Sequence, residues 1–143
     1  RRQRQMCIRD RISMPLLDRM DMMIEVSALS YPQWNQKTQE MSSTQMRKKV
    51  ERVREIQKER RKGQSFLFNS RMGNQELEEY CALGTQEKKL MKKAFDELKM
   101  SARGYTKILK VARTVADLEE KEQIQTEHLQ EALCYRIGNG IYR

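Results

Sequence analysis

Two arginines stand where their positions could do chemistry. Arg103 follows Ser101 by two residues in "SARGYTKILK". Ser101 is a good N-cap, which places Arg103 in the first turn of a helix. The positive end of the helix dipole lies there, so a cation costs roughly 0.3–1 kcal/mol. Unpaired N–H groups make the same end an anion site, so an arginine is rational there if a phosphate binds between those groups and the guanidinium. The other reading is a solvated side chain that bends away from the dipole. Arg19, in "PLLDRMD", lies between a one-turn helix and a strand-like run, beside Asp18 and Asp21. A rigid flanking scaffold can hold such a side chain out for a partner, and a local Asp–Arg pair is the alternative.

The third feature is a field of charge. The net charge is +9, unevenly placed: residues 1–63 carry 16 Lys/Arg against 8 Asp/Glu, and residues 64–143 carry 13 against 12. Between Arg47 and Lys62 nine basic residues face three acidic ones. A basic half suggests an anionic partner, meaning nucleic acid or nucleotide phosphate. Candidate nucleic-acid contacts are Arg47, Lys48, Arg52, Arg54, Lys58 and Arg61. No aromatic lies among them to stack on bases, so binding would come from counterion release, blind to sequence. The bland reading is a solvated basic helix.

Other chemistry is missing. None of the six glycines is followed by Lys and then Ser or Thr, so there is no Walker A loop to cradle phosphates. H-E-x-x-H and G-x-S-x-G are absent too. Cys7, Cys81 and Cys134 are scattered with no C-x-x-C, which argues against zinc and a disulfide scaffold and favours reduced thiols in a cytoplasm. His128 has no second His or Cys at ligand spacing, so it reads as a packed or solvated histidine, and no metal site is expected.

The elements that position these residues follow from periodicity. Pro15 suits the first turn of a short helix over "PLLDR". "DMMIEV" alternates with period two and reads as a strand whose sheet partners lie upstream. The polar stretch 31–41 reads as a linker. A long helix follows, capped by Ser43 or Thr44, with Met46, Val50, Val53 and Ile56 as a thin apolar stripe and Gly63 at its end. Residues 64–74 read as a loop and "QELEEYCAL" as a short helix. Thr85 caps a helix with Leu90, Met91, Ala94, Phe95 and Leu98 on one face. Ser101 caps the longest run, with Tyr105, Ile108, Leu109, Ala112, Val115 and Ala116 at a 3.6-residue period. Thr126 caps the last helix, with Leu129, Ala132 and Leu133 inward. The second half is therefore a bundle of four or five helices with short links.

Composition agrees. Of 143 residues, 38% are hydrophobic and 34% charged, which leaves room for one modest core. No run of 18 apolar residues exists, so no segment is expected to span a membrane. No charged-then-apolar leader opens the chain, and a start at Arg1 reads like a piece of something longer.

"ISMPLLDRMDMMIEV", followed much later by "LKMSARGYTKILKVARTVADLEEKEQIQTEHLQEALCYR", resembles the C-terminal part of the magnesium-chelatase-like AAA+ ATPases. These are related to competence proteins that promote DNA branch migration. "FNSRMGNQELEEYCAL" fits the family's connecting segment, and the resemblance covers roughly residues 11–136. Met14 stands where the family usually has glycine. The resemblance implies a mainly α fold: the end of an AAA+ core over residues 1–30, with "DMMIEV" as its last strand, then a helical lid over residues 31–143. It implies that Arg19 is the arginine finger, reaching ATP in a neighbouring subunit, and that Arg103 is the sensor-2 arginine, contacting ATP in its own subunit. Arg113 also matches the family and is expected to be structural, paired with Asp117 one turn on. ATP and Mg²⁺ are implied for the full-length protein, with self-association into a ring, expected to be a hexamer, and movement along DNA in the cytoplasm. Metal insertion is not implied. The chain alone, without a Walker A loop, is expected to be inactive. The alternative is a basic helical nucleic-acid-binding module with no tie to ATP.

Overall fold

The computed structural model describes residues 13–24, 26–28, 30–31, 35, 40–62 and 68–137. Among them the chain forms α1 (Met14–Arg19), α2 (Ser43–Arg60), a 3-10 turn (Asn69–Arg71), α3 (Asn74–Tyr80), α4 (Thr85–Glu97), α5 (Ala102–Leu118) and α6 (Thr126–Ile137). The fold is mainly helical, as its periodicity predicts. No described residue lies in a strand. Met22–Ile24 form no ladder within this chain, where the strand expected over "DMMIEV" has no partner, and the Met23 N–H donates to the Tyr135 carbonyl at the end of α6, at 2.8 Å. Glu25, the tail from 138, Gly63 and most of the expected linker lie outside the described residues, but Tyr31 and Asn35 have helical backbone rather than an irregular one.

α5 is the centre. Its stripe of Ile108, Leu109, Ala112, Val115 and Ala116 is buried, and it packs against α6, α2, α3 and the 3-10 turn. Met91 and Ala94 of α4 and Leu129, Ala132 and Leu133 of α6 complete the core with Met72, Leu77, Cys81, Met100 and Ile124. Phe95 stays half outside and meets Tyr105 edge to face, with centroids 6.1 Å apart. Burial in this core pushes the Cys81 thiol up to about 11, so it stays protonated at neutral pH.

Local chemistry sets the ends. Ser42, not Ser43 or Thr44, caps α2: its Oγ accepts the Gln45 N–H at 3.3 Å, and Gln45 Oε1 accepts the Ser42 N–H at 2.8 Å. Ser101 caps α5 as expected, accepting the Gly104 N–H at 3.0 Å. Gly84, rather than Thr85, occupies the cap of α4. Ahead of α6 the Gln125 N–H donates to His128 Nδ1 at 2.9 Å, while Thr126 Oγ1 donates to Glu87. That leaves His128 Nε2–H for Glu119, at 3.1 Å, so the buried histidine is spent on the turn. α4 and α5 both end with a left-handed residue, Lys99 (φ 45°) and Glu120 (φ 55°). The Met100 N–H bonds back to Phe95 O and the Lys121 N–H to Ala116 O, closing both ends without glycine.

α2 is held differently. Of its expected stripe only Val53 is buried and Ile56 half-buried, while Met46 and Val50 stay exposed. Its anchor is Asp117 of α5, whose exposure is 0%. That carboxylate accepts from Gln57 Nε2 at 3.1 Å, Arg60 Nη1 at 3.2 Å, Asn69 Nδ2 at 2.8 Å and Arg113 Nε at 3.0 Å. Arg113, itself 1% exposed, also donates to the Glu122 and Lys121 carbonyls and so fixes the turn after α5. The i,i+4 pair expected between Arg113 and Asp117 is present, but as one edge of a larger network. Removing one member of a buried ion pair costs about 3–5 kcal/mol, out of a total stability of about 5–15 kcal/mol for a typical domain. Asp117→Ala is therefore expected to lower the unfolding free energy measured by urea titration by that amount, and an unchanged value would show that the network contributes nothing net.

Candidate functional site

The two arginines singled out by sequence lie near one face of α5. Arg19 is the last residue of α1 and is exposed. Its acidic neighbours are engaged elsewhere. Asp18 Oδ1 accepts from Ser101 Oγ at 2.8 Å and from Arg136 Nη2 at 2.7 Å, while Asp21 pairs with Lys107 Nζ at 3.0 Å. The local Asp–Arg pair is thus not formed, and the Arg19 guanidinium has no hydrogen-bond or ion-pair partner among the described residues. Its own carbonyl accepts from Lys107 Nζ.

Arg103 is the second residue of α5 and is exposed. It lines a groove of about 570 Å³ with Asp21, Met22, Lys107, Lys110 and Tyr135. Lys107 is engaged by Asp21 and Lys110 by the Ser70 carbonyl at 3.1 Å. The Arg103 guanidinium has no such partner among the described residues. Tyr135, on the same wall, donates its hydroxyl to Glu131 at 2.7 Å, which raises the phenol above its ordinary range. No group of three His, Cys, Asp or Glu among the described residues could hold a metal ion.

The six basic candidates of the long helix fall into four kinds. Arg47, Lys48 and Lys58 are exposed and unpartnered among the described residues. Arg52 makes a two-pronged pair with Glu120, at 3.2 and 3.0 Å, which holds that carboxyl below the usual carboxylate range. Arg54 lies 5.7 Å over the Phe68 ring. Arg61 departs from the expectation. It is buried, donates to Asn69 Oδ1 at 2.8 Å and lies 5.7 Å over the Tyr80 ring, so its charge faces inward. Burial and the neighbouring Arg60 both press its pKa down.

Reading the sequence missed the residues that hold this face together. Arg136, buried near the end of α6, joins Asp18 to the Met20 carbonyl at 2.7 Å. Gly104 makes the space: a Cβ there would stand 3.2 Å from Arg136 Nη2 and 3.4 Å from Ser101 Oγ. An arginine 118 residues from its partner carries no local signal. A glycine in the first turn of an otherwise regular helix was the available hint.

Residues 40–136 match the family described as magnesium chelatase, subunit ChlI C-terminal. The chain belongs to this family. It is 43% identical over 130 residues to competence protein ComM of Haemophilus influenzae, a match that covers 89% of this chain and 24% of that protein. It is 34% and 33% identical to the uncharacterized proteins YifB of Salmonella typhimurium and Escherichia coli, again over 89% of this chain and 24% of theirs. The chain therefore spans about a quarter of the length of the curated relatives it matches. Arg103, Gly104, Arg113, Asp117 and Arg136 fall inside the family match, whereas Asp18 and Arg19 precede it. No helix among the described residues is long and apolar enough to cross a membrane.

Gly104 gives a direct test of this packing. Alanine for glycine within a helix ordinarily gains roughly 0.5–1 kcal/mol. Arg136 is pinned at both Nη atoms and cannot yield freely to a new methyl group. Gly104→Ala is expected to show none of that gain in thermal unfolding, and a full gain would mean that Arg136 moves aside without cost.

Proposed function

We propose that this chain is the C-terminal part of a magnesium-chelatase-like AAA+ ATPase that couples ATP hydrolysis to DNA remodelling in a ring, with six members as the expected number. Residues up to about 30 form the end of the ATPase core and the rest form its lid. Arg19 serves as the arginine finger toward a neighbouring subunit's ATP, and Arg103 as the sensor-2 arginine toward the ATP of its own. The nucleotide and its Mg²⁺ would be held by the core of the full-length protein, in the cytoplasm. The observation that supports this reading is the pair of unpartnered guanidiniums, left exposed while the acids beside Arg19 and the lysines beside Arg103 are engaged within the chain.

An arginine finger contributes roughly 10³–10⁵ in turnover. In the full-length ring, Arg19→Ala is expected to abolish most hydrolysis and leave ATP binding near normal. Arg103→Ala is expected to weaken nucleotide affinity and hydrolysis together. Mixing the two variants in one ring decides between cis and trans action, because some interfaces regain both arginines and should regain activity. If mixed rings stay inactive while wild-type subunits rescue either variant, the assignment is wrong.

Arg47, Lys48 and Lys58 support a second role, contact with nucleic-acid backbone along α2. Such binding is sequence-blind and falls steeply with salt. Reversing these three charges is expected to remove it, whereas Arg52→Ala, already paired with Glu120, should change it little. Affinity that is unaffected by salt would refute this role.

A further inference from the structure

We propose that Asp18 and Arg136 are positioning residues for Arg19: they clamp the segment that carries it onto the helix that carries Arg103, so that the two arginines are held on one body. The functional half of this rests on the finger reading of Arg19, and the structural half does not.

The contacts are consecutive. The Asp18 carboxylate is held by Ser101 and Arg136, the Arg19 carbonyl by Lys107, the Met20 carbonyl by Arg136, the Asp21 carboxylate by Lys107, and the Met23 N–H by the Tyr135 carbonyl. Every link on the chain side is a main-chain group or an acid adjoining the arginine. Of the charged side chains over residues 18–21, only that of Arg19 is left over. On the other side the links come from the first turns of α5 and the last turn of α6, and Lys107 lies one turn beyond Arg103 on the same face.

Among the described side chains this attachment is mainly polar. Leu16, Met20, Met22 and Ile24 remain exposed, and the apolar core begins at Met72 among the described residues. Arg136 is 2% exposed, and its charge meets one carboxylate, Asp18. Ser101 links the clamp to the sensor helix, since the hydroxyl that donates to Asp18 also accepts the Gly104 N–H that caps α5. Because little apolar area holds the segment, loss of the clamp should release it and leave the bundle folded.

The test uses the full-length protein with Asp18→Ala, Lys107→Met, Arg19→Ala and the double variant Asp18→Ala/Arg19→Ala. Hydrogen exchange of peptides over residues 18–24 is expected to accelerate about tenfold or more in Asp18→Ala and in Lys107→Met, with residues 108–116 and 129–133 keeping their protection. ATP turnover in Asp18→Ala should fall with KM for ATP near wild type. The double variant should be no slower than Arg19→Ala, because Asp18 acts through Arg19. Unchanged exchange over residues 18–24 overturns the clamp. Effects of the two substitutions that multiply overturn the positioning role. If Arg19→Ala leaves turnover intact while exchange still rises, the finger reading fails and the positioning role with it, whereas the clamp itself stands.

Discussion

A carboxylate with no access to water governs how the basic helix is attached. Desolvating an ion is costly, of order 20 kcal/mol in the idealised limit, so Asp117 is tolerable only if its lone pairs are occupied by good donors. Four side chains supply them, from α2, the 3-10 turn and α5 itself. The geometry of all three elements follows from that requirement. α2 has little apolar surface to bury, with Val53 the one fully buried aliphatic side chain in its eighteen residues, so the network does what a hydrophobic stripe does elsewhere. The same Arg113 that satisfies Asp117 also satisfies the carbonyls following α5. One charge thus sets the position of a helix, a turn and a loop.

The arginines divide according to whether the fold supplies a counter-charge. Arg113 and Arg136 are buried, and each has an aspartate, Asp117 and Asp18. Arg52 is exposed and has Glu120. Among the described residues Arg19 and Arg103 have no such partner, although Asp18 and Asp21 lie close to Arg19 in sequence. The chain gives those acids to Arg136 and Lys107 instead, which keeps a charge available at the end of α1. A fold in which Asp18 paired with Arg19 would neutralise the side chain and leave Arg136 buried without a counter-charge. The observed exchange of partners resolves both problems at once.

How much of this was legible follows the same physics. Helices with a wide apolar face were plain: the stripe of α5 and the inward residues of α6 are buried where the 3.6-residue period puts them. The Arg113–Asp117 pair was legible because it is local. Ser101 was legible as a cap, but the cap of α2 was displaced by one residue to Ser42, since "SST" offers three hydroxyls and only the capping box with Gln45 decides among them. A period of two in "DMMIEV" marks alternation, not a partner, and within this chain the segment is attached through one backbone bond and a set of side chains. Arg61 failed because a basic run has no period that separates an inward arginine from outward ones. Its partners, Asn69 and Tyr80, lie on elements that sequence did not place beside it. Long-range polar contacts such as Asp18–Arg136 have no signature at all in a single sequence.

Two kinds of attachment therefore coexist in one small chain, and their placement is not arbitrary. Helices α3 to α6 share a continuous apolar core, whose burial is cooperative and non-directional. α1 with the segment after it, and α2, are joined to that core through carboxylates, Asp18 in one case and Asp117 in the other. A polar joint is directional: it fixes an orientation closely while it holds and provides little once one member is lost. Arg19 and the basic row of α2 sit on the parts joined this way, whereas Arg103 sits on the core itself. Arg19 and that row are thus carried on elements whose orientation is set by a few named bonds rather than by buried area. That arrangement frees their charged side chains, because the attachment does not require an apolar face on the same element.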